Sequence, residues 1–378
     1  MSVKKEYFGK DQTGTEYSLY TIDNGRMHFS VTDLGACLVR VMVPDAEGKK
    51  YDDVVLGYDS AEEYLSNPDF YGALVGPSAN RVKEGLVCID GVTLHMDLND
   101  NTNNLHTDHA DGLHKRKWQA EIFENENRVT FTIGISDGTY HLPGNREFQV
   151  SYSLVDKKAD AALAKEEFGS VCIEYFGASD KNTLMNLTNH VYFNLNGHGV
   201  SPLPSITNHK LKLSASHFTP IDAHMIPTGE LRPVQGTPFD FEKLRTIGED
   251  IEADDEQLGI AGGYDHNYVI DGAKGETFSG DGHLRPCAVL YEEGSGRHMY
   301  AETTLPGVQF YSGNFMQKQT GKSGRIYERR GGLCLETQFF PSAINVEAFE
   351  QCGYPKPIFG PDRHYKETTV YTFGRIKK

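Results

Sequence analysis

Phe148-Gln149-Val150-Ser151-Tyr152-Ser153-Leu154 decides the fold class: large apolar and polar side chains alternate residue by residue. That period of two is what a strand shows when one face is buried and the other is wet. The same alternation runs through residues 128–135, 171–176 and 209–213. Turn-forming pairs separate such stretches, among them Asp90-Gly91, Asn196-Gly197 and Gly331-Gly332, where a positive φ comes at little cost. The 39 glycines and 16 prolines suit an architecture of many short connections.

Helical patterning is scarce. Asp59 to Leu65 reads as one short helix, with Ser60 and Glu63 spaced for a capping box. Residues 157–167 (KKADAALAKEE) read as a surface excursion between strands. No linker, composition shift or repeat divides the 378 residues, so the expectation is one domain spanning 1–378: an all-β, large antiparallel β-sandwich.

Composition narrows the function. With 37 Lys and Arg against 53 Asp and Glu, the net charge of −16 repels a phosphate backbone, and nucleic acid is not an expected partner. No apolar run is long enough to span a membrane, and Met1 to Glu6 carry no apolar leader, so the expected compartment is the cytoplasm. The six cysteines, Cys37, Cys88, Cys172, Cys287, Cys334 and Cys352, form no C-x-x-C pair and read as structural. Glycine-rich phosphate loops and a G-x-S-x-G elbow are absent, which argues against dinucleotide, P-loop and serine-hydrolase chemistry.

Against that background, polar residues inside apolar segments stand out. Asn186-Leu187-Thr188-Asn189-His190-Val191-Tyr192-Phe193-Asn194-Leu195 sets a histidine among asparagines and aromatics. A satisfied core histidine is one reading; an organised pocket around a proton-transfer group is the other. Glu336, in Leu333-Cys334-Leu335-Glu336-Thr337-Gln338, is a carboxylate in an apolar strand, either half of a buried ion pair or a general base with a raised pKa. Asp265, after Gly262-Gly263-Tyr264, could hold a turn or face a ligand. Asn80-Arg81, Asn104-Leu105-His106 and Gln309-Phe310-Tyr311 supply the directed hydrogen bonds and aromatic faces that sugar hydroxyls and rings need. His106, His109 and His114 match no familiar metal-ligand spacing and read as a polar loop, so no metal is expected.

In this order the segments resemble the galactose mutarotase (aldose 1-epimerase) family nearly end to end. They run from Leu34-Gly35-Ala36 and Val54-Val55-Leu56-Gly57-Tyr58-Asp59, through Ala79-Asn80-Arg81 and Asn104-Leu105-His106, to Asn189-His190, Ile226-Pro227-Thr228-Gly229-Glu230, Tyr264-Asp265-His266, Pro306-Gly307-Val308-Gln309 and Glu336-Thr337-Gln338. The resemblance implies a galactose mutarotase-like β-supersandwich with the sugar in an open cleft. It implies an isomerase that interconverts the α and β anomers of an aldohexose such as galactose or glucose by acid–base ring opening, without a cofactor. His190 then matches the general acid and Glu336 the base. Asn80, Arg81, His106, Asp265 and Gln309 match positions that hold sugar hydroxyls, with Tyr192 beside the acid. The expected partner is the monosaccharide alone, and the expected assembly a monomer or homodimer. Gly76-Pro77-Ser78 lacks an arginine usual ahead of Ala-Asn-Arg, Thr107-Asp108 replaces a Gly-Gly after the histidine, and Val191 replaces a serine; these departures bear on which sugar fits. A non-catalytic sugar-binding protein, an epimerase for another sugar, and a glycosidase using Asp265 and Glu336 are the competing readings.

Overall fold

The computed structural model describes residues 2–156, 164–273 and 282–376. Three antiparallel sheets carry most of it. The first is a meander of five strands in chain order, from Ser2–Lys10 to Tyr51–Asp53. The second has nine strands and is built around Arg128–Ile135, Arg146–Val155, Ala164–Ser179 and Tyr365–Ile376. The third has six strands; from one edge it runs Tyr192–Phe193, Leu333–Gln338, Gly307–Tyr311, Asp265–Val269. Every ladder within the sheets is antiparallel, as the alternation predicts.

Phe148, Val150, Tyr152 and Leu154 are all buried in the main hydrophobic cluster, while Glu147 is exposed and Gln149 and Ser151 lie at its margin. The Asp90-Gly91 pair turns the hairpin from Leu86–Ile89 to Val92–His95 with φ of 51° and 77°, the left-handed pair that matches strand twist. The predicted helix forms at Ala61–Ser66, and the Glu63 carboxylate accepts the backbone N–H of Ser60 at 3.1 Å.

Two expectations change. Residues 164–167 are not an excursion: they open the long strand Ala164–Ser179, whose length carries it to the edge of its neighbour Tyr365–Ile376. Residues 157–163 lie outside the described residues. No cysteine is in a disulfide, but Cys88 is exposed on its hairpin, so it is not a core residue; alternation puts it on the wet face, opposite Val87 and Ile89.

The six-stranded sheet places the site. On its inner face Val308, Phe310, Leu333 and Leu335 join the main core. Residues of opposite parity on the same strands, Gln309, Tyr311, Cys334 and Glu336, therefore turn to the other face, and a cleft opens there.

Candidate active site

Two asparagines join the histidine segment to the strand of Glu336. Asn186 clamps Phe339, accepting its N–H at 2.9 Å and donating to its carbonyl at 3.2 Å. Asn194 donates to the carbonyl of Gly331 at 2.8 Å. Strand Leu333–Gln338 is thus tied at both ends to the segment that carries His190. The sequence suggested that the asparagines surround the imidazole; instead they fix the backbone that aims it, with Asn189 donating to the Tyr152 hydroxyl at 3.0 Å.

His190 ends a short strand paired with Ala73–Val75, and its Nε2 stands 3.7 Å from Glu336 Oε1. Both residues are buried, at 6% and 2% exposure. Burial holds the His190 imidazole down at about 4, and burial with the nearby Asp265 pushes the Glu336 carboxyl well above its usual range. Charging either group alone is therefore unfavourable, and the pair titrates as a unit rather than as two independent groups. Glu336 Oε2 has no hydrogen-bond partner among the described residues.

Around this pair the cleft encloses about 190 Å³ and is lined by Asn80, Arg81, His106, Tyr192 and Asp265 together with both members of the pair. Arg81 sits on a two-residue ladder with Leu105 and is held by Asp100, Nε to Oδ2 at 2.7 Å. Asp265 reaches the cleft because Gly262 ends the helix Glu256–Ala261 with φ 65°. Gly263 then passes so close to Asn314 that a Cβ would lie 2.4 Å from its Oδ1. Asp265 therefore begins a strand rather than holding the turn, and its carboxylate accepts Gln309 Nε2 at 2.7 Å. Burial raises the Asp265 pKa, while Arg81 and Gln309 oppose the shift. Gln309 itself lies behind Asp265, 4% exposed, paired in register with Glu336.

Tyr311, singled out in the sequence, lines the cleft, and sequence reasoning missed Asp69, Phe70, His109 and Phe315, which line it too. Phe70 packs 5.9 Å from the His190 ring and 4.9 Å from His106. The dipeptide Asp69-Phe70 carries no periodicity of its own, and its signal is conformational: Phe70 has φ 58°, in company with Asn80 at 57°, His106 at 56° and Thr107 at 69°. Left-handed backbone at non-glycine residues is disfavoured, and it gathers where a site is held in one geometry.

Nitrogen and oxygen atoms of His106, His190 and Glu336 fall within 4.8 Å of one another, close enough to suggest a metal. The tautomer argues otherwise. His106 Nδ1 accepts the backbone N–H of Asn80 at 3.2 Å, so its Nε2 carries the proton and donates into the cleft. The trio fits a hydroxylated ligand better than a cation. His109 also faces the cleft, and His114 is buried beneath Phe70, so the three histidines of that loop do not converge on one point.

Comparisons with known proteins show the family and the fold. The family described as aldose 1-epimerase matches residues 18–371. The galactose mutarotase of Homo sapiens is 33% identical over 375 residues, covering 99% of each chain. The aldose 1-epimerase of Escherichia coli is 32% identical over 361 residues, 95% of this chain and 96% of that one. In fold, the chain is similar to the crystal structure of galactose 1-epimerase from Lactobacillus acidophilus, with a TM-score of 0.80 and 24% identity over the full length of both.

Proposed function

This chain belongs to the aldose 1-epimerase family, and on that premise we propose that it interconverts the anomers of an aldohexose such as galactose or glucose, with His190 and Glu336 as the proton-transfer pair. The observation that carries the assignment is the buried His190–Glu336 pair, 3.7 Å apart at the floor of an open cleft. Opening a cyclic hemiacetal requires a proton taken from the anomeric hydroxyl and another given to the ring oxygen. Glu336 takes the first and His190 supplies the second, so the C1–ring-oxygen bond breaks as the aldehyde forms. Rotation about C1–C2 presents the other carbonyl face. Ring closure then runs the same transfers backwards, His190 accepting and Glu336 donating. No electron or phosphate moves, so the reaction draws on no cofactor.

The remaining polar groups hold the ring. Arg81, fixed by Asp100, and His106, fixed as a donor by Asn80, offer N–H groups to hydroxyl oxygens. Asp265, steadied by Gln309, accepts hydroxyl protons. Tyr192 and Phe70 flank the His190 ring at 5.1 and 5.9 Å and set its plane. In this reading residues 1–378 act as one domain, as a monomer or a homodimer. No described helix is long and apolar enough to cross a membrane. None of the six cysteines is in a disulfide, which suits a reducing compartment and supports a cytoplasmic setting.

The test is optical rotation of freshly dissolved α-D-galactose and α-D-glucose. Faster relaxation with the protein, to the same final rotation, is the expected result. Relaxation no faster than in buffer for either sugar would remove these aldoses as substrates.

A further inference from the structure

Cys334 lies two residues before Glu336 on one strand, so both side chains emerge on the cleft face. It is wholly buried, opposite Tyr192 on one side and Tyr311 on the other. Its Sγ stands 3.5 Å from His190 Nδ1, within hydrogen-bonding reach of that nitrogen. The other ring nitrogen, Nε2, faces Glu336. The imidazole is therefore held between the sulfur behind it and the carboxylate in front.

We propose that Cys334 is a positioning residue for the anomer interconversion, its thiol fixing the tautomer and the plane of the His190 ring; the inference rests on His190 acting as the acid. An imidazolium that gives its Nε2 proton to the ring oxygen keeps its other proton on Nδ1, and only that tautomer leaves Nε2 bare to take the proton back on ring closure. A sulfur accepting from Nδ1–H selects that tautomer. When the ring is charged, Nδ1 is still a donor and the same sulfur still accepts from it. One side chain thus serves both protonation states without moving the ring. Burial, reinforced by Glu336 and Asp265, pushes the thiol well above its usual range, so it keeps its hydrogen throughout. Alanine would serve neither state. Serine would serve both, across a longer gap because C–O is shorter than C–S.

The experiment compares the native chain with Cys334→Ala, Cys334→Ser and His190→Gln, each checked for cooperative unfolding. It measures kcat and KM on α-D-galactose and the imidazole ¹⁵N shifts of histidine-labelled protein, with the His190 signals identified by their loss in His190→Gln. In Cys334→Ala, kcat is expected to fall about tenfold, the loss of one hydrogen bond to a charged group, with KM unchanged. The His190 shifts move towards the average of two exchanging tautomers, and Cys334→Ser recovers most of the rate and the native shifts. Native kcat and shifts in Cys334→Ala would overturn the proposal, as would equal losses in both cysteine variants with KM raised, which is a packing defect. An inactive His190→Gln beside an unaffected Cys334→Ala refutes the positioning role alone. A fully active His190→Gln refutes the acid assignment and, with it, this inference.

Discussion

His190 Nε2 and Glu336 Oε1 are 3.7 Å apart, too far for a strong hydrogen bond and near enough that neither group titrates independently of the other. The pair can pass protons to a ligand seated against it without first breaking a tight bond of its own. Because burial holds His190 at about 4, the imidazole takes up no further proton near neutrality, and kcat/KM is expected to be level there. It should fall as the pH drops through about 4, where a further proton settles on the pair and no base remains. The profile is read as catalysed relaxation in excess of buffer. An acid limb centred near 6.5, the value of an exposed histidine, would contradict the effect assigned to burial.

His209 offers a separate test of burial. It is fully buried, its Nε2 accepts the N–H of Leu195 at 2.9 Å, and desolvation holds it at about 4. Between pH 6.5 and 4 the unfolded chain binds a proton here that the native chain refuses. This part of the stability is therefore complete above pH 6.5 and is lost as pH falls through that window. In a His209→Gln variant the contribution is absent. Measured by urea denaturation, the stability gap between native and variant chains should narrow with falling pH, by up to about 1.4 kcal/mol per unit. A constant gap would show that His209 titrates alike in both states.

Lys322 and Asp53 form a buried ion pair at 2.8 Å, and Lys322 also donates to the Val55 carbonyl at 2.7 Å. Asp53 in turn accepts the N–H groups of Val41 and Val55 at 3.0 and 3.2 Å. The pair thereby joins the first sheet to the loop near Tyr327, whose hydroxyl lies 3.2 Å from the Lys322 N–H. Lys322→Met leaves the buried Asp53 carboxylate with only the more distant Arg40, 3.9 Å away, and is expected to cost about 3 kcal/mol in urea denaturation. Adding Asp53→Asn to that variant should recover part of the loss. A loss under about 1 kcal/mol, the value of an exposed pair, would show that the site admits water.

Much of this was legible before any coordinates. The alternation at Phe148–Leu154 predicts its strand because one face of an antiparallel sheet is dry, and the period of two survives any tertiary context. Glu336 stood out because a carboxylate among Leu333, Leu335 and Phe339 needs a reason. Asp69, Phe70 and Phe315 were not legible, since they reach the cleft through loop geometry and a left-handed residue rather than through a pattern. The role of Asn186 and Asn194 was misread for a related cause. Sequence shows that polar groups are near His190 along the chain, whereas their partners, Phe339 and Gly331, are distant in sequence and adjacent only across the strands.

The central claim is that Glu336 is the base, and a Glu336→Gln variant tests it most directly. The amide fills the same space, keeps hydrogen-bonding capacity and cannot accept the anomeric proton. Anomer exchange of galactose, followed by NMR magnetisation transfer, should slow by about 10²- to 10⁴-fold, while calorimetric titration shows the sugar still bound. Exchange within tenfold of the native rate, at equal occupancy, would contradict the account.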